Sequence, residues 1–204
     1  MTSTSSPAPR RTQADRRART RDALLEAAAR GLSTFGYGKL ALAWVAAEAG
    51  YTRGALYHQF SGKEELALEV VRWVGETWTA EVGAPAAALD DPVEQLLAVA
   101  RGHAVYCRRD VARVLMTLRI EFAGRHHPVG RALHDIVRPL SDDTRARLTA
   151  ARASGAIGDG PPVPEIAAAY LGVLEGVVIQ LAGHAPHDVE LTERAVRGLI
   201  GLPR

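Results

Sequence analysis

The chain has a single cysteine, Cys107, among 204 residues. No disulfide can close within it, and nothing in its cysteine usage points to an oxidising compartment. Long apolar runs are missing too. A membrane span needs about 18 uninterrupted apolar residues, and the longest candidate, from Ala167 to Ala182, is broken by Glu175 and Gln180. The arginines near the N-terminus are not followed by the apolar stretch of a secretory signal. The expectation is a cytoplasmic protein with no membrane partner. The period-two alternation that marks strands is lacking, as is any internal repeat.

Catalytic signatures are absent in the same way. There is no Gly-x-Ser-x-Gly elbow and no glycine-rich phosphate loop. His126, His127 and His134 have no cysteine or carboxylate cluster at ligand spacing around them, so no metal site is expected. Cys107 stands beside Arg108 and Arg109, which could lower its pKa, but it reads more simply as a passive residue at a helix end. Neither enzyme activity nor a cofactor is expected.

What the chain has is helix formers. Alanine and leucine are abundant, 47% of residues are hydrophobic and 24% charged, the balance of a soluble all-α protein. The net charge of +2 is unevenly spread. Residues 1–68 carry ten Lys/Arg against six Asp/Glu, and the remainder fifteen against seventeen. Residues 1–11, rich in Ser, Thr and Pro and ending in Arg10-Arg11, are expected to be a disordered basic arm. Such an arm suits a polyanion, or serves only as a solubilising tail.

From Thr12 onward, Leu24, Leu25, Ala28, Leu32 and Phe35 recur at helical spacing, and Gly36 and Gly38 should end that helix. A short helix is expected over 41–49 and a second over 52–59, with Gly50 between them supplying the positive φ of a tight turn. Ser61 with Glu64 has the spacing of a capping box for a helix running to about Val82, where Gly83 and Pro85 should stop it. Further helices are expected over 91–108, 111–122, 128–154 (bent near Pro139), 164–183 and 188–201, about nine in all.

The two short helices around Ala49-Gly50 carry the functional reading. Leu42, Val45, Leu56 and Phe60 can form a small core with Leu24, Ala28 and Phe35, propping the second short helix outward as a recognition helix must be. Thr52 and Arg53 lie at its N-terminal end, where base edges are read, and arginine can pair with guanine through two hydrogen bonds. Gly54 allows close approach, while Tyr57, His58 and Lys63 can reach phosphates. The same residues also suit a solvated surface, and Tyr57 a half-buried packing position.

Residues 20–66, TRDALLEAAARGLSTFGYGKLALAWVAAEAGYTRGALYHQFSGKEEL, resemble the N-terminal domain of the TetR family of bacterial transcriptional regulators. The likeness rests on Thr20-Arg21, Ala27-Ala28, Phe35, Gly36-Tyr37, Val45-Ala46, Ala49-Gly50, Gly54, Leu56-Tyr57, Phe60 and Lys63-Glu64. The chain departs from the pattern where Leu40-Ala41 replaces a Thr-Thr pair, removing a helix cap usually worth about 1 kcal/mol. It departs again at Trp44, Tyr51 and Gln59. The resemblance implies a three-helix helix-turn-helix domain over 12–66, with Arg19, Arg21, Thr52, Arg53, Gly54, Tyr57, His58 and Lys63 at a palindromic double-stranded operator. It implies a helical ligand-binding and dimerisation domain over 67–204.

Within that second region Ala168, Gly172 and Gly176 recur every four residues and, with Val177 and Leu199, could build a homodimer interface or pack internally. Trp73, Trp78, Tyr106, Met116, Phe122, Ile136 and Tyr170 could line a pocket for an unknown small-molecule ligand, or be plain core. The function implied is a repressor released from its operator by that ligand. Two other readings share the fold: a ligand-independent regulator or activator, and a helical interaction protein that binds DNA weakly and without sequence preference.

Overall fold

The computed structural model describes residues 12–202; the expected basic arm, residues 1–11, lies outside them. The described residues are all helix and connecting turn, without a strand. Helix α1 (Gln13–Lys39) starts on a capping box in which the Thr12 hydroxyl accepts from the Asp15 amide at 3.2 Å and the Asp15 carboxylate accepts from the Thr12 amide at 2.9 Å. Its apolar stripe buries Leu24, Leu25, Ala28 and Leu32. At Gly36 the backbone leaves helical geometry (φ 71°, ψ 176°), a conformation open almost only to glycine. The expected stop is therefore a break inside a longer element. Phe35, expected in the core, remains 42% exposed, its ring edge-on to Trp44 at 5.1 Å. Leu40 and Trp44 cover α1 instead: a Cβ on Gly31 would lie 2.5 and 2.7 Å from them.

Helix α2 (Leu42–Glu48) begins at Ala41 with no side-chain cap, as the missing hydroxyl implies, and α3 (Arg53–Tyr57) follows. Helix α4 (Lys63–Trp78) is not capped by Ser61 and Glu64. Gly62 is its cap residue, and Glu65 reaches back to accept from the Ser61 amide (2.6 Å) and hydroxyl (2.5 Å). Gly83 and Pro85 do not end the rod either. A π-turn, Thr79–Gly83, carries it into α5 (Ala84–Ala87), with Pro85 in the first turn of that segment.

The remainder is α6 (Pro92–Tyr106), α7 (Val114–Phe122, entered through a 3-10 turn), α8 (Pro128–Ala153, with Pro139 inside it), α9 (Val163–Gly176) and α10 (His187–Leu199). Asp91 caps α6, accepting from the Val93 amide at 2.8 Å. A second π-turn, Val177–Leu181, extends α9. That combined stretch is long and apolar enough to cross a membrane by composition alone. One face of it is buried, with Ile166, Ala167, Tyr170, Leu174 and Val177 packed against α6, α8 and α10.

Two apolar clusters hold the molecule. One joins Leu24, Leu32, Val45, Leu56, Phe60 and Val70 of the N-terminal helices to Leu118 and Phe122 of α7 and Val129 and Leu133 of α8. The other joins α6, α8, α9 and α10 through Leu96, Val99, Leu148, Tyr170, Leu174 and Val196. Helix α7 therefore belongs to the packing of the N-terminal helices as much as to the body.

Candidate nucleic-acid interface and ligand cavity

The turn between α2 and α3 is closed by backbone bonds from Gly50 to Ala47 (3.0 Å) and from Tyr51 to Ala46 (2.8 Å), with Gly50 at φ 75°. This is the tight, glycine-dependent corner expected there. Five-residue α3 is too short to stand alone. Leu56, fully buried, and Phe60 just beyond it anchor it, and the Thr52 hydroxyl caps it by accepting from the Ala55 amide at 3.2 Å. Ala55 is half-buried, and Thr52, Arg53, Gly54, Tyr57 and His58 are all exposed. A Cβ on Gly54 would meet nothing closer than Thr52 Oγ1 at 3.7 Å, so no internal crowding demands glycine there.

The other basic candidates divide. Arg19 is exposed on the first half of α1. Arg21 turns inward instead, paired with Glu69 of α4 and lying 4.9 Å over the Phe60 ring. Lys63 is also occupied: its Nζ donates to the Gly38 carbonyl at 3.0 Å and sits 4.8 Å over the Tyr37 ring. Burial pulls its pKa down, with the Glu121 charge opposing. Both cations are held within the fold because their long stems cross apolar surface towards nearby acceptors.

The Lys63 contact belongs to a junction that the sequence did not suggest. Glu121, near the end of α7, places its carboxylate against the Gly36 break and accepts from the Tyr37 amide at 2.6 Å and the Gly38 amide at 2.7 Å. Tyr37 packs edge-on to Phe122 (5.2 Å) and His127 (5.3 Å), and His127 stacks on Phe122 at 4.5 Å. Two consecutive amides pointing at one carboxylate form a small anion-binding nest. The first helix of the head is thereby fastened to the body. Glu121 and Tyr37 are 84 residues apart, and no local pattern marks the pair.

A cavity of about 350 Å³ opens between α4, α6, α7, α8 and α9. Of the seven expected lining residues, Trp78, Tyr106, Met116 and Ile136 border it. Three do not. Tyr170 is fully buried in the body core with its hydroxyl donating to the Leu96 carbonyl at 2.7 Å. Trp73 packs in the N-terminal cluster, and Phe122 is taken by the junction with Tyr37. Both π-turns reach the wall, through Thr79, Gly83 and Val178.

Besides Thr79, the polar wall residues outside the expected seven are His103, Arg119, Asp143, Arg147 and Glu175. Arg119 of α7 and Glu175 of α9 form an ion pair there. His103 accepts from the Trp78 indole N–H at Nδ1 (3.0 Å), while Nε2 lies 3.0 Å from the Leu174 carbonyl and so carries the proton. Burial lowers its pKa to about 4. The unfolded chain then binds an extra proton between pH 6.5 and about 4. The stability His103 contributes is fully present above pH 6.5 and is lost as pH falls towards about 4. Denaturant titrations across that window should show a loss of about 3 kcal/mol that His103→Gln largely removes. A pH dependence unchanged in that variant would refute the assignment. Burial raises the pKa of the neighbouring Cys107 to about 12, opposite to the activation its arginine neighbours suggested.

The expected interface residues also divide. Ala168 and Gly172 are exposed on the outer face and Gly176 is half-buried; a Cβ on either glycine would meet nothing within 4 Å. Val177 faces the opposite way, 1% exposed in the body core, because at about 100° per residue it falls on the far side of the helix from the Ala168, Gly172 and Gly176 stripe. Leu199 packs partly against that same core.

Comparison with known proteins bears on both ends of the chain. Residues 24–70 match the family model described as bacterial regulatory proteins, tetR family. The HTH-type transcriptional regulator CymR of Pseudomonas putida is 40% identical over 91 residues, 43% of this chain and 45% of that protein. The match thus spans less than half of the relative's length. The structure of AibR in complex with isovaleryl coenzyme A and operator DNA superposes with a TM-score of 0.77 at 19% identity, covering 91% of this chain and all of that one. PfmR, a TetR family transcriptional regulator from Thermus thermophilus, superposes at 0.74 with 21% identity, covering 89% and 98%. At such identities the likeness is one of fold. The N-terminal helices thus carry the sequence pattern of the tetR family of bacterial regulatory proteins, and the described residues share the fold of AibR and PfmR.

Proposed function

We propose that this chain is a transcriptional repressor that binds a palindromic operator as a homodimer and is released by a small molecule in the α4–α9 cavity. The observation that carries the reading is α3 itself. Anchored within its own length by Leu56 alone, it turns Thr52, Arg53, Gly54, Tyr57 and His58 outward as one contiguous polar surface. Arg53 is the one Lys or Arg on α3 and stands in the first turn, the position from which a recognition helix meets base edges. Tyr57, 48% exposed, can donate to a phosphate from the same face.

Arg21 and Lys63 take a supporting part, holding α1, α4 and the Gly36 break in register beneath α3. Operator binding by AibR, which shares the fold, supports the DNA partner, and its bound isovaleryl coenzyme A supports a ligand in the body. The ligand acts by preferring a state of α7 whose heads mismatch the two half-sites, since only differential affinity can shift such an equilibrium.

The test is selection of bound sequences from random duplex DNA, repeated with two variants. The unaltered chain should enrich a palindrome. Arg53→Ala should weaken binding to it by about 1–3 kcal/mol and relax the preference at one position of each half-site. Tyr57→Phe should weaken all sequences alike. Absence of any enriched sequence at moderate salt would refute sequence-specific binding.

A further inference from the structure

Helix α8 belongs to both apolar clusters. Its first half gives Val129 and Leu133 to the N-terminal cluster, with Ile136 packed against them. Its second half gives Leu148 and Ala151 to the body cluster, with Leu140 packed against them. The changeover falls between Ile136 and Leu140, and Pro139 stands inside it. Helix α4 changes sides in the same way: Leu66, Val70 and Val74 pack in the first cluster and Trp78 against the second, where the π-turn Thr79–Gly83 follows at once. Helix α7 buries Val114, Leu118 and Phe122 in the first cluster. Among the described residues, α6, α9 and α10 contribute to the body cluster alone.

The boundary between the clusters is thinly bonded. Among the described residues, side-chain hydrogen bonds from one helix to another cross it at two places. The Tyr106 hydroxyl donates to the Val74 carbonyl at 3.3 Å, and Arg119 pairs with Glu175. Much of the rest of the boundary is the cavity, which Gly75, Trp78, Ile136, Val137 and Pro139 all border. Helix α8 is weakest at this level for a chemical reason. Proline has no N–H to give the carbonyl four residues back, here that of Asp135, and its ring crowds that carbonyl. Asp135, Arg138 and Pro139 are exposed, so water reaches the turn and no buried side chain has to move when it opens.

We propose that Pro139 is the hinge of the molecule. The first half of α8 moves with α7 and the N-terminal helices as one unit, and that unit rotates against α6, the second half of α8, α9 and α10. Close-packed clusters keep their own shape, so motion gathers where two packings meet and the backbone bonding is broken. The moving unit is therefore larger than residues 12–66. The consequence for DNA rests on the operator reading above: the hinge sets the separation of the two α3 helices and thereby the gap between half-sites that a dimer accepts.

Hydrogen exchange of the full chain, unaltered and as Pro139→Ala, tests the units without DNA. In the unaltered chain the amides of residues 131–137 should exchange in step with those of α7 and differ from those of residues 144–153 by roughly tenfold or more. Pro139→Ala restores an N–H and its helical bond at an exposed position, so the two halves of α8 should converge to within about threefold. A proline that only weakens its own turn would leave the two sets apart. Operator selection with the gap between half-sites varied gives the second readout. The unaltered chain should bind two or more gap lengths with similar affinity, and Pro139→Ala should keep one and lose the others by roughly tenfold, with the half-site sequence the same.

Residues 131–137 exchanging in step with 144–153 in the unaltered chain would overturn the hinge. So would a Pro139→Ala chain that keeps either the two exchange sets or the gap tolerance of the unaltered one. If no palindrome is enriched, the operator reading fails by itself and exchange alone decides the hinge.

Discussion

Gly36→Ala is expected to lower the melting temperature by about 10 °C. The backbone at Gly36 (φ 71°, ψ 176°) lies in a region where a side chain costs roughly 1–3 kcal/mol. The added Cβ would stand 2.6 Å from Glu121 Oε2, so the carboxylate must leave the Tyr37 and Gly38 amides or the break must shift. Each charge-assisted bond given up costs roughly 1.5–3 kcal/mol. Together the losses approach 4 kcal/mol, and each kcal/mol moves the midpoint of a chain this size by about 2–4 °C. Glu121→Ala alone should cost about 3 kcal/mol through the two unpaired amides. The double variant should lose clearly less than the two single losses added, because the alanine Cβ no longer meets a carboxylate. A Gly36→Ala melting temperature within 2 °C of the unaltered chain, or strict additivity with Glu121→Ala, would show that the junction is not what fixes Gly36 (~2 °C being about 1 kcal/mol at most).

The same junction gives α7 two duties. Within nine residues it presents Leu115, Met116 and Arg119 to the cavity and Leu118, Glu121 and Phe122 to the N-terminal helices. A change at Arg119 that moves α7 along or about its axis reaches the Gly36 break through Glu121 with no flexible segment between. Packed interfaces of this kind respond by switching between discrete arrangements rather than deforming continuously. Contacts from the cavity wall to the Gly36–Gly38 amides therefore run through α7, and Lys63 bonds the Gly38 carbonyl beside them.

What the sequence revealed of this depends on how local each signal is. The α2–α3 corner was legible because Ala49-Gly50, the Leu42/Val45 stripe and Leu56 lie within fifteen residues, and spacing on short helices suffices to aim α3. Phe35 was misplaced because periodicity gives it the buried face of α1, yet the Gly36 break and Trp44 leave it at the edge of the core. The box at Ser61 slipped by one residue because Glu64 and Glu65 both have the reach, and Gly62 settles the choice by taking the cap position in an extended conformation. Gly83 and Pro85 failed to stop α4 because a π-turn absorbs the glycine and α5 follows with the proline in its first turn. The cavity was least legible. Trp78 and Met116 face it while Trp73 and Phe122 do not, a difference set by how α4 and α7 are rotated against α8. The Glu121 nest joins distant segments and leaves no local pattern.

Dimerisation should fail in Gly172→Arg and in Leu191→Arg, and operator affinity should fall by roughly two to four orders of magnitude in both. The outer face of α9 and its π-turn is bare: a Cβ on Gly172 or Gly176 meets nothing within 4 Å, and Ile179 is 58% exposed. Beside it, α10 turns Leu191, Ala195 and Gly198 outward at helical spacing, with Leu191 46% exposed. Glycine on a solvated helix face weakens the helix by about 1 kcal/mol each relative to alanine. Three such positions beside two exposed aliphatic side chains make sense if a second copy approaches closely across a two-fold axis. An arginine there introduces bulk and two like charges that face each other in the symmetric pair, and neither position belongs to the buried core of its own chain. Each head carries one α3, so a lone protomer reads one half-site and loses the gain from engaging both at once. Sedimentation should show monomers with an unchanged melting profile for the N-terminal helices, and residual DNA binding should be to single half-sites. A variant that sediments as a dimer, or an unaltered chain that sediments as a monomer at micromolar concentration, would remove this face from the interface and leave two-fold operator recognition without its geometric basis.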